Sequence, residues 1–138
     1  MILFHSNSHN FTVKNKALIK AWLKRVAESE GRSIGQIDII FCSDEELLEM
    51  NKKHLNHDYF TDIITFDYSD RQGIISGDLY ISTDRVSDNA RKFDISDEIE
   101  LRRVMVHGIL HLVGFNDRTD EEISLIREKE ELYLSLYP

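Results

Sequence analysis

Residues 107–117 read HGILHLVGFND. His107 and His111 are four positions apart, so on a helix they share one face with Cβ atoms roughly 5–6 Å apart, and both imidazoles can point at one ion. Gly114 can adopt the left-handed conformation that ends a helix. A turn there would bring Asp117 beside the histidines and leave a fourth position for water, as in catalytic zinc sites. We therefore predict a three-residue metal site at the end of a helix.

The histidine helix also indicates the architecture around it. Between Ile99 and Leu112 it is apolar on most sides, which is typical of a helix buried between layers. Hydrophobic periodicity elsewhere predicts strands and further helices. The strands are expected at 2–5, 36–42, 61–66 and 74–82, and the helices over about 14–30, 43–54 and 83–93, from Ser96 through both histidines, and from Thr119 onward. We expect an α+β fold in which a small mixed sheet of about four strands packs with about five helices, and the metal site lies on the buried central helix.

Two helix starts carry a strong local signal. Ser43 and Glu46 match a capping box, and so do Thr119 and Glu122. Gly77 interrupts the fourth strand, where a glycine often marks a bulge or a close backbone approach. The sheet is expected to contribute to the core through Phe41, Ile63, Phe66, Leu79 and Ile81.

Length and composition set the class of protein. The chain has 138 residues, 41% of them hydrophobic and 30% charged, which fits one domain over residues 1–138. No apolar run approaches the roughly 20 residues of a membrane span, and the first ten residues, MILFHSNSHN, do not resemble a signal peptide. We expect a cytoplasmic protein that does not contact a membrane. Cys42 is the single cysteine and ends the apolar run IDIIFC, which favours an inert core thiol over a functional one.

The net charge of −8 opposes nucleic-acid binding that relies on bulk electrostatics, because such proteins are usually basic. The charge is uneven, however. Basic residues are concentrated in residues 14–25 and acidic residues in 120–131. A local basic face and two simply solvated helix surfaces explain this pattern equally well.

The histidine pair also has a purely structural explanation, because a histidine on an apolar helix is usually a core residue whose hydrogen bonds are satisfied. The spacing of Gly114 and Asp117 favours the metal site over that explanation. In the usual zinc-protease helix, a glutamate follows the first histidine and acts as the general base. Gly108 occupies that position here and cannot take a proton. Peptide hydrolysis by that route is therefore disfavoured.

Three stretches together resemble the YbeY family of metal-dependent endoribonucleases. They are HGILHLVGF at 107–115, TDIITF at 61–66 and GDLYIS at 77–82, and the family order and spacing hold over nearly the whole chain. The resemblance implies a single-strand-specific endoribonuclease that matures the 3′ end of 16S rRNA and serves ribosome quality control. It also implies single-stranded rRNA and the small ribosomal subunit, or an associated protein such as a GTPase, as partners.

The resemblance carries His107 and His111 over as zinc ligands, whereas Asp117 stands where the family has a third histidine. A carboxylate is a legitimate zinc ligand, but its harder oxygen shifts the relative preference toward manganese or iron. We expect one zinc ion per chain, with manganese or iron as alternatives. The three residues would act catalytically through a water that the ion activates.

A second departure is Leu55, which occupies the position of a basic residue that the family carries before the TDIITF strand. Its neighbours His54, His57, Lys52 and Lys53 could supply charge instead, or could be ordinary exposed residues. Two strand carboxylates, Asp62 and Asp78, could border the cleft or serve as structural hydrogen-bond acceptors.

Two other functions remain open. In one, the metal is structural and the protein is a ribosome-assembly or binding module with little catalysis. In the other, it is a different metalloenzyme, either a protease or an Fe(II) oxygenase with two histidines and one carboxylate. Gly108 counts against the protease, and the pattern of a double-stranded β-helix is absent from the sequence.

Overall fold

A computed structural model describes residues 1–7, 11–57 and 59–138. These residues form four strands and five helices, as predicted. In chain order they are β1 (Ile2–Ser6), α1 (Lys16–Ser29), β2 (Ser33–Cys42), α2 (Asp44–Leu55), β3 (Ile63–Asp67), β4 (Ile74–Ser82), α3 (Thr83–Phe93), α4 (Asp97–Val113) and α5 (Asp120–Ser135). No helix among the described residues is both long enough and apolar enough to cross a membrane.

The strands form one mixed sheet in the order β1-β2-β4-β3. β1 and β4 both run parallel to the long strand β2. β3 runs antiparallel to β4, with Ile63 opposite Ile81 and Asp67 opposite Gly77, so these two strands form a hairpin. The antiparallel strand β3 lies at one edge of the sheet. That edge lies beside the helix that carries the histidines.

α4 packs on this sheet and is buried along most of its length, which confirms the prediction of a central helix. Met105, Ile109 and Leu110 have no exposed surface. They belong to one core cluster with Leu79 and Ile81 of β4. Phe41 is also in the core. Ile63 is partly exposed and packs against the core cluster. Phe66 was predicted to be a core residue, but its partly exposed ring instead lies edge-on to the rings of Tyr80 and His54.

The helix-end signals are also confirmed. The Ser43 hydroxyl accepts a hydrogen bond from the Glu46 amide at 3.2 Å, and the Ser43 amide donates to the Glu46 carboxylate at 2.9 Å. Thr119 and Glu122 form the same reciprocal pair at the start of α5. Gly114 ends α4 with a φ of 126°, and its amide donates to the carbonyls of Leu110 and His111. The positive φ turns the chain back toward the histidines.

Gly77 allows β3 and β4 to approach each other closely. A Cβ atom at this position would collide with the carbonyl oxygen of Phe66 and would lie 2.9 Å from a Leu112 methyl carbon of α4. We expect Gly77→Ala to lower the free energy of unfolding by about 2–3 kcal/mol, because backbone must move to admit the methyl group. Gly73→Ala is the control: there is open space around it and a φ of 81°, so it should cost only about 1 kcal/mol of backbone strain. Urea denaturation measures both, and an equal loss in the two variants would contradict the close approach.

Cys42 is fully buried, and burial, reinforced by the charge of Glu46, raises the pKa of its thiol to about 11. Because the thiolate is the reactive form, we expect the folded protein to react with a thiol reagent far more slowly than an exposed cysteine at neutral pH. The same protein in guanidinium chloride should take up one equivalent at once, as followed by mass spectrometry. Rapid labelling of the folded protein would show that the thiol is accessible and would disprove the inert role.

Candidate metal centre

The end of α4 and the loop that follows it bring three ligand atoms together. His107 and His111 lie one turn apart on α4, and their Nε2 atoms are 3.0 Å from each other. The turn at Gly114 returns Asp117 to them, with its Oδ2 3.4 Å from each Nε2. These are the three residues that the sequence singled out. Among the described residues, they are the one group of histidine, cysteine or acidic side chains with metal-binding geometry.

These three residues fit a transition-metal ion. Ligands at the usual zinc distances of about 2.0–2.1 Å stand about 3.3–3.4 Å apart at the corners of a tetrahedron. The observed separations of 3.0, 3.4 and 3.4 Å are close to that value without any rearrangement of the backbone. Two imidazole nitrogens and one carboxylate are also a donor set found in catalytic zinc sites, which keep one position open.

A buried glutamate contacts the first candidate ligand, His107, on the side away from the other two. The Nδ1 atom of His107 is 2.6 Å from Oε2 of Glu130 on α5, and Glu130 is only 5% exposed. A carboxylate at this position favours the tautomer that carries its hydrogen on Nδ1, so that Nε2 presents its lone pair to an ion. The arrangement is the carboxylate–histidine pair that commonly backs metal ligands.

Sequence reasoning missed this glutamate, although a signal was present. Glu130 lies on the same helical line as the apolar residues Ile123, Ile126 and Tyr133, where α5 faces the core. A carboxylate on the buried face of an amphipathic helix is costly unless it has a partner. The cost of burying this carboxylate therefore indicates that Glu130 has a polar partner in the fold.

Arg103 compensates the charge behind the site. Its guanidinium lies 3.2 Å from Glu100, 3.5 Å from Glu130 and 2.9 Å from Glu131. Burial raises the pKa of Glu100, and the charge of Arg103 opposes that rise. The guanidinium therefore allows two buried carboxylates to stay within the same cluster.

Further contacts hold α5 against α1. The Trp22 indole donates a hydrogen bond to the Tyr133 carbonyl at 2.9 Å. Lys129 lies 3.0 Å from the carboxylate of Glu30, and the Tyr133 hydroxyl donates to the same carboxylate. α5 is therefore held by α1 through these contacts and by α4 through Glu130, and together they fix the position of the Glu130 carboxylate.

The two histidines differ electrostatically. Burial lowers the pKa of His107, but the hydrogen bond and charge of Glu130, aided by Asp62 and Asp117, outweigh burial and raise that pKa above its usual value. For His111, burial and the nearby charge of His107 lower the pKa, and Asp117 opposes them only in part. In the protein without an ion, His107 is thus the histidine that protonates first.

The three candidate ligands border a cleft of about 580 Å³ between the loop after α2, strand β3 and the end of α4. Asp62, Leu55, His57 and Arg118 also line this cleft. Burial raises the pKa of Asp62, and the charge of His107 opposes that rise. Of the candidate charges near Leu55, His57 therefore faces the cleft, whereas His54, Lys52 and Lys53 do not contribute to its lining.

Asp78 does not border the cleft. It lies opposite Asp38 in the register of β2 and β4, and burial together with the charge of Asp38 raises the pKa of its carboxyl group. Of the two strand carboxylates that sequence reasoning considered, Asp62 alone belongs to the site.

A mixed sheet beneath a buried helix with two histidines and a returning carboxylate is an arrangement that suits a small metalloenzyme. The family model for Endoribonuclease YbeY matches residues 2–137. The chain belongs to this family of endoribonucleases.

Curated relatives agree over almost the full length. The Endoribonuclease YbeY of Cytophaga hutchinsonii is 47% identical over 135 residues, covering 98% of this chain and 94% of the relative. That of Parabacteroides distasonis is 48% identical over 126 residues, covering 91% and 87%. A solution structure of a Thermotoga maritima protein superposes with a TM-score of 0.65 at 29% identity, covering 98% of this chain and 87% of that one. The resemblance seen in the sequence is confirmed.

Proposed function

We propose that the chain is a metal-dependent endoribonuclease that cuts single-stranded RNA and matures the 3′ end of 16S rRNA. The observation that carries the proposal is the convergence of three ligand atoms, from His107, His111 and Asp117, at the edge of an open cleft. The family supports the reaction class. One domain, residues 1–138, would hold the whole site.

The ion that these residues would hold supplies Lewis acidity, which acidifies a bound water and withdraws charge from a phosphodiester oxygen. The chain's own residues prepare the site for it. Glu130 holds the hydrogen of the neutral His107 ring on Nδ1, which leaves the lone pair of Nε2 directed at the ligand cluster. Arg118 follows Asp117 directly and lines the cleft, where a guanidinium can neutralise a phosphate oxygen. It is our candidate for the charge that Leu55 lacks.

We propose zinc as the resident ion, one per chain. The two imidazoles and the tetrahedral spacing support zinc. The carboxylate of Asp117 keeps manganese and iron as alternatives, because harder oxygen ligands favour them more than a third histidine would.

The proposed partners are single-stranded rRNA and the small ribosomal subunit or a protein bound to it, such as a GTPase. The acidic balance of the chain supports a docked substrate over one attracted from solution, because a net charge of −8 repels free RNA. On the ribosome the local concentration of RNA would replace long-range electrostatic attraction.

A nuclease assay tests this function. We expect the purified protein to cut a single-stranded precursor fragment of 16S rRNA, and to leave the same fragment intact when it is annealed to its complement. Dialysis against a chelator should abolish cleavage, and adding back zinc, manganese or iron one at a time should identify the ion that restores it.

The binding-module alternative predicts a different result. A protein whose metal is only structural would retain the RNA without cutting it, and His107→Ala would behave like the wild type in the assay. Equal products from both proteins would mean that the cleavage comes from a contaminant, and would leave the nuclease proposal without support.

A further inference from the structure

The loop after α2 holds a pair of aromatic rings beside the metal site. α2 ends at Leu55, and Asn56 takes a left-handed conformation with a φ of 55°. The rings of His57 and Tyr59 then stack, with centroids 5.1 Å apart and planes 22° from parallel. The Tyr59 hydroxyl and the His57 Nδ1 atom are 2.9 Å apart, within hydrogen-bonding distance.

A buried asparagine fixes this ring pair to the body of the protein. Asn51 is only 2% exposed. Its side-chain amide donates to the backbone carbonyl of Tyr59 at 2.9 Å. Its backbone carbonyl accepts from the backbone amide of His57 at 3.0 Å. Both bonds are made to the loop backbone, so they fix the positions from which the rings of His57 and Tyr59 project.

The ring pair faces the cleft and remains open to a ligand. His57 and Tyr59 both line the same cleft as His107, His111 and Asp117. Tyr59 is 54% exposed although the imidazole covers one side of its ring. The next aromatic residue, Phe60, differs, because the guanidinium of Arg85 lies 5.2 Å from its ring centre and it does not line the cleft.

Charge indicates what kind of ligand such a surface would take. The protein is acidic overall, Leu55 contributes no charge, and Arg118 is the one lysine or arginine among the described residues that line the cleft. A nucleobase needs no charge for recognition, since every base has an aromatic face that stacks on tyrosine. An unpaired base is available only in single-stranded RNA, because bases in a duplex are already stacked.

We propose that Tyr59, backed by His57, is a stacking platform for one unpaired base of the RNA, close to the phosphate that is cut. The proposal rests on the proposed nuclease function and names the feature of the substrate that the cleft recognises. It places the single-strand preference in the loop after α2, since a base must leave its own stack to reach the platform.

The test uses the metal-loaded protein and a short fluorescein-labelled single strand of 2′-O-methyl RNA, whose integrity is checked on a gel after each titration. We expect Tyr59→Ala to weaken binding on the order of tenfold and Tyr59→Phe to keep most of the affinity, because stacking needs the ring and not the hydroxyl. The matched control is Tyr68→Ala. Tyr68 is equally exposed, at 59%, but does not line the cleft, and its removal should leave the affinity unchanged.

A second measurement moves the change to the RNA. Single abasic sites are placed at each position of the strand, and one of them should weaken binding to the wild type about tenfold and leave binding to Tyr59→Ala unaffected. If Tyr59→Ala bound the RNA as tightly as the wild type does, the platform would be overturned. An abasic site that weakened binding equally in both proteins would also overturn it. Cleavage of unmodified RNA separates this result from the function: an active Tyr59→Ala with unchanged KM disproves the platform alone, whereas an inactive wild type disproves the nuclease.

Discussion

His111→Ala is expected to lose both the stoichiometric metal ion and RNA cleavage, each by more than about a hundredfold. The reason is geometric: the variant keeps Nε2 of His107 and the carboxylate of Asp117 but lacks the third corner of the ligand triangle. Losing a direct ligand should exceed the 10- to 100-fold cost of losing a residue that only supports one. Competition with a chromophoric zinc chelator measures the affinity, and the nuclease assay measures the rate.

His111 is a cleaner choice than His107 for this test. Removing His107 would also take a hydrogen-bond partner from the buried Glu130 and leave it only Arg103, at 3.5 Å, and the loss of a hydrogen bond to a buried carboxylate is destabilising in itself. The matched control is His5→Ala, because His5 lies on β1 at the opposite edge of the sheet and pairs with Asp38 at 2.8 Å. The control should keep its ion and its activity. If His111→Ala bound zinc as tightly as the wild type, the proposed ligand set would be wrong.

Glu130→Leu is expected to weaken zinc binding 10- to 100-fold, although Glu130 is not itself one of the proposed ligands. The leucine removes the acceptor that orients His107, and the imidazole then has no preferred tautomer. Glu130→Gln keeps a neutral acceptor of nearly the same shape, so its loss should be smaller. A packing role alone gives the same order, since glutamine also fits the space of Glu130 more closely than leucine does, and the pKa of His107 is the measurement that distinguishes the two roles.

The glutamine variant also has a pH signature. Because Glu130 is the main contribution that raises the pKa of His107, that pKa should fall in the metal-free Glu130→Gln protein, which NMR titration of the imidazole can follow. Glu131→Gln is the control. Glu131 is the next residue, contacts the same guanidinium at 2.9 Å and has a side chain that is 67% exposed, yet it has no bond to a histidine. Equal zinc affinity in Glu130→Leu and the wild type would disprove the supporting role.

The local parts of the site were predictable because they depend on sequence spacing. The four-residue interval between His107 and His111 determines that they share a helix face. Gly114 is the residue that most readily takes the positive φ that ends the helix, and this turn brings Asp117 back. The sheet was predictable in the same way, because the alternation of β2 and β4 is written into neighbouring residues.

The missed parts depend on contacts between distant segments. Glu130 lies 23 positions after His107 in the chain and contacts it only because α5 packs against α4. Asp78 and Asp62 look alike in sequence, but the register of β2 with β4 carries Asp78 toward Asp38 and away from the cleft. The stacked pair of His57 and Tyr59 depends on the buried Asn51, whose side chain gives no periodic signal.

The location of Glu130 on α5 has a consequence for how the protein is made. Translation runs from the amino end, so the sheet, α4 and both histidines emerge from the ribosome before the residue that orients His107 does. A chain whose synthesis stops before α5 would carry all three proposed ligands but lack the carboxylate that orients His107, so we expect it to bind the ion more weakly than the full chain does.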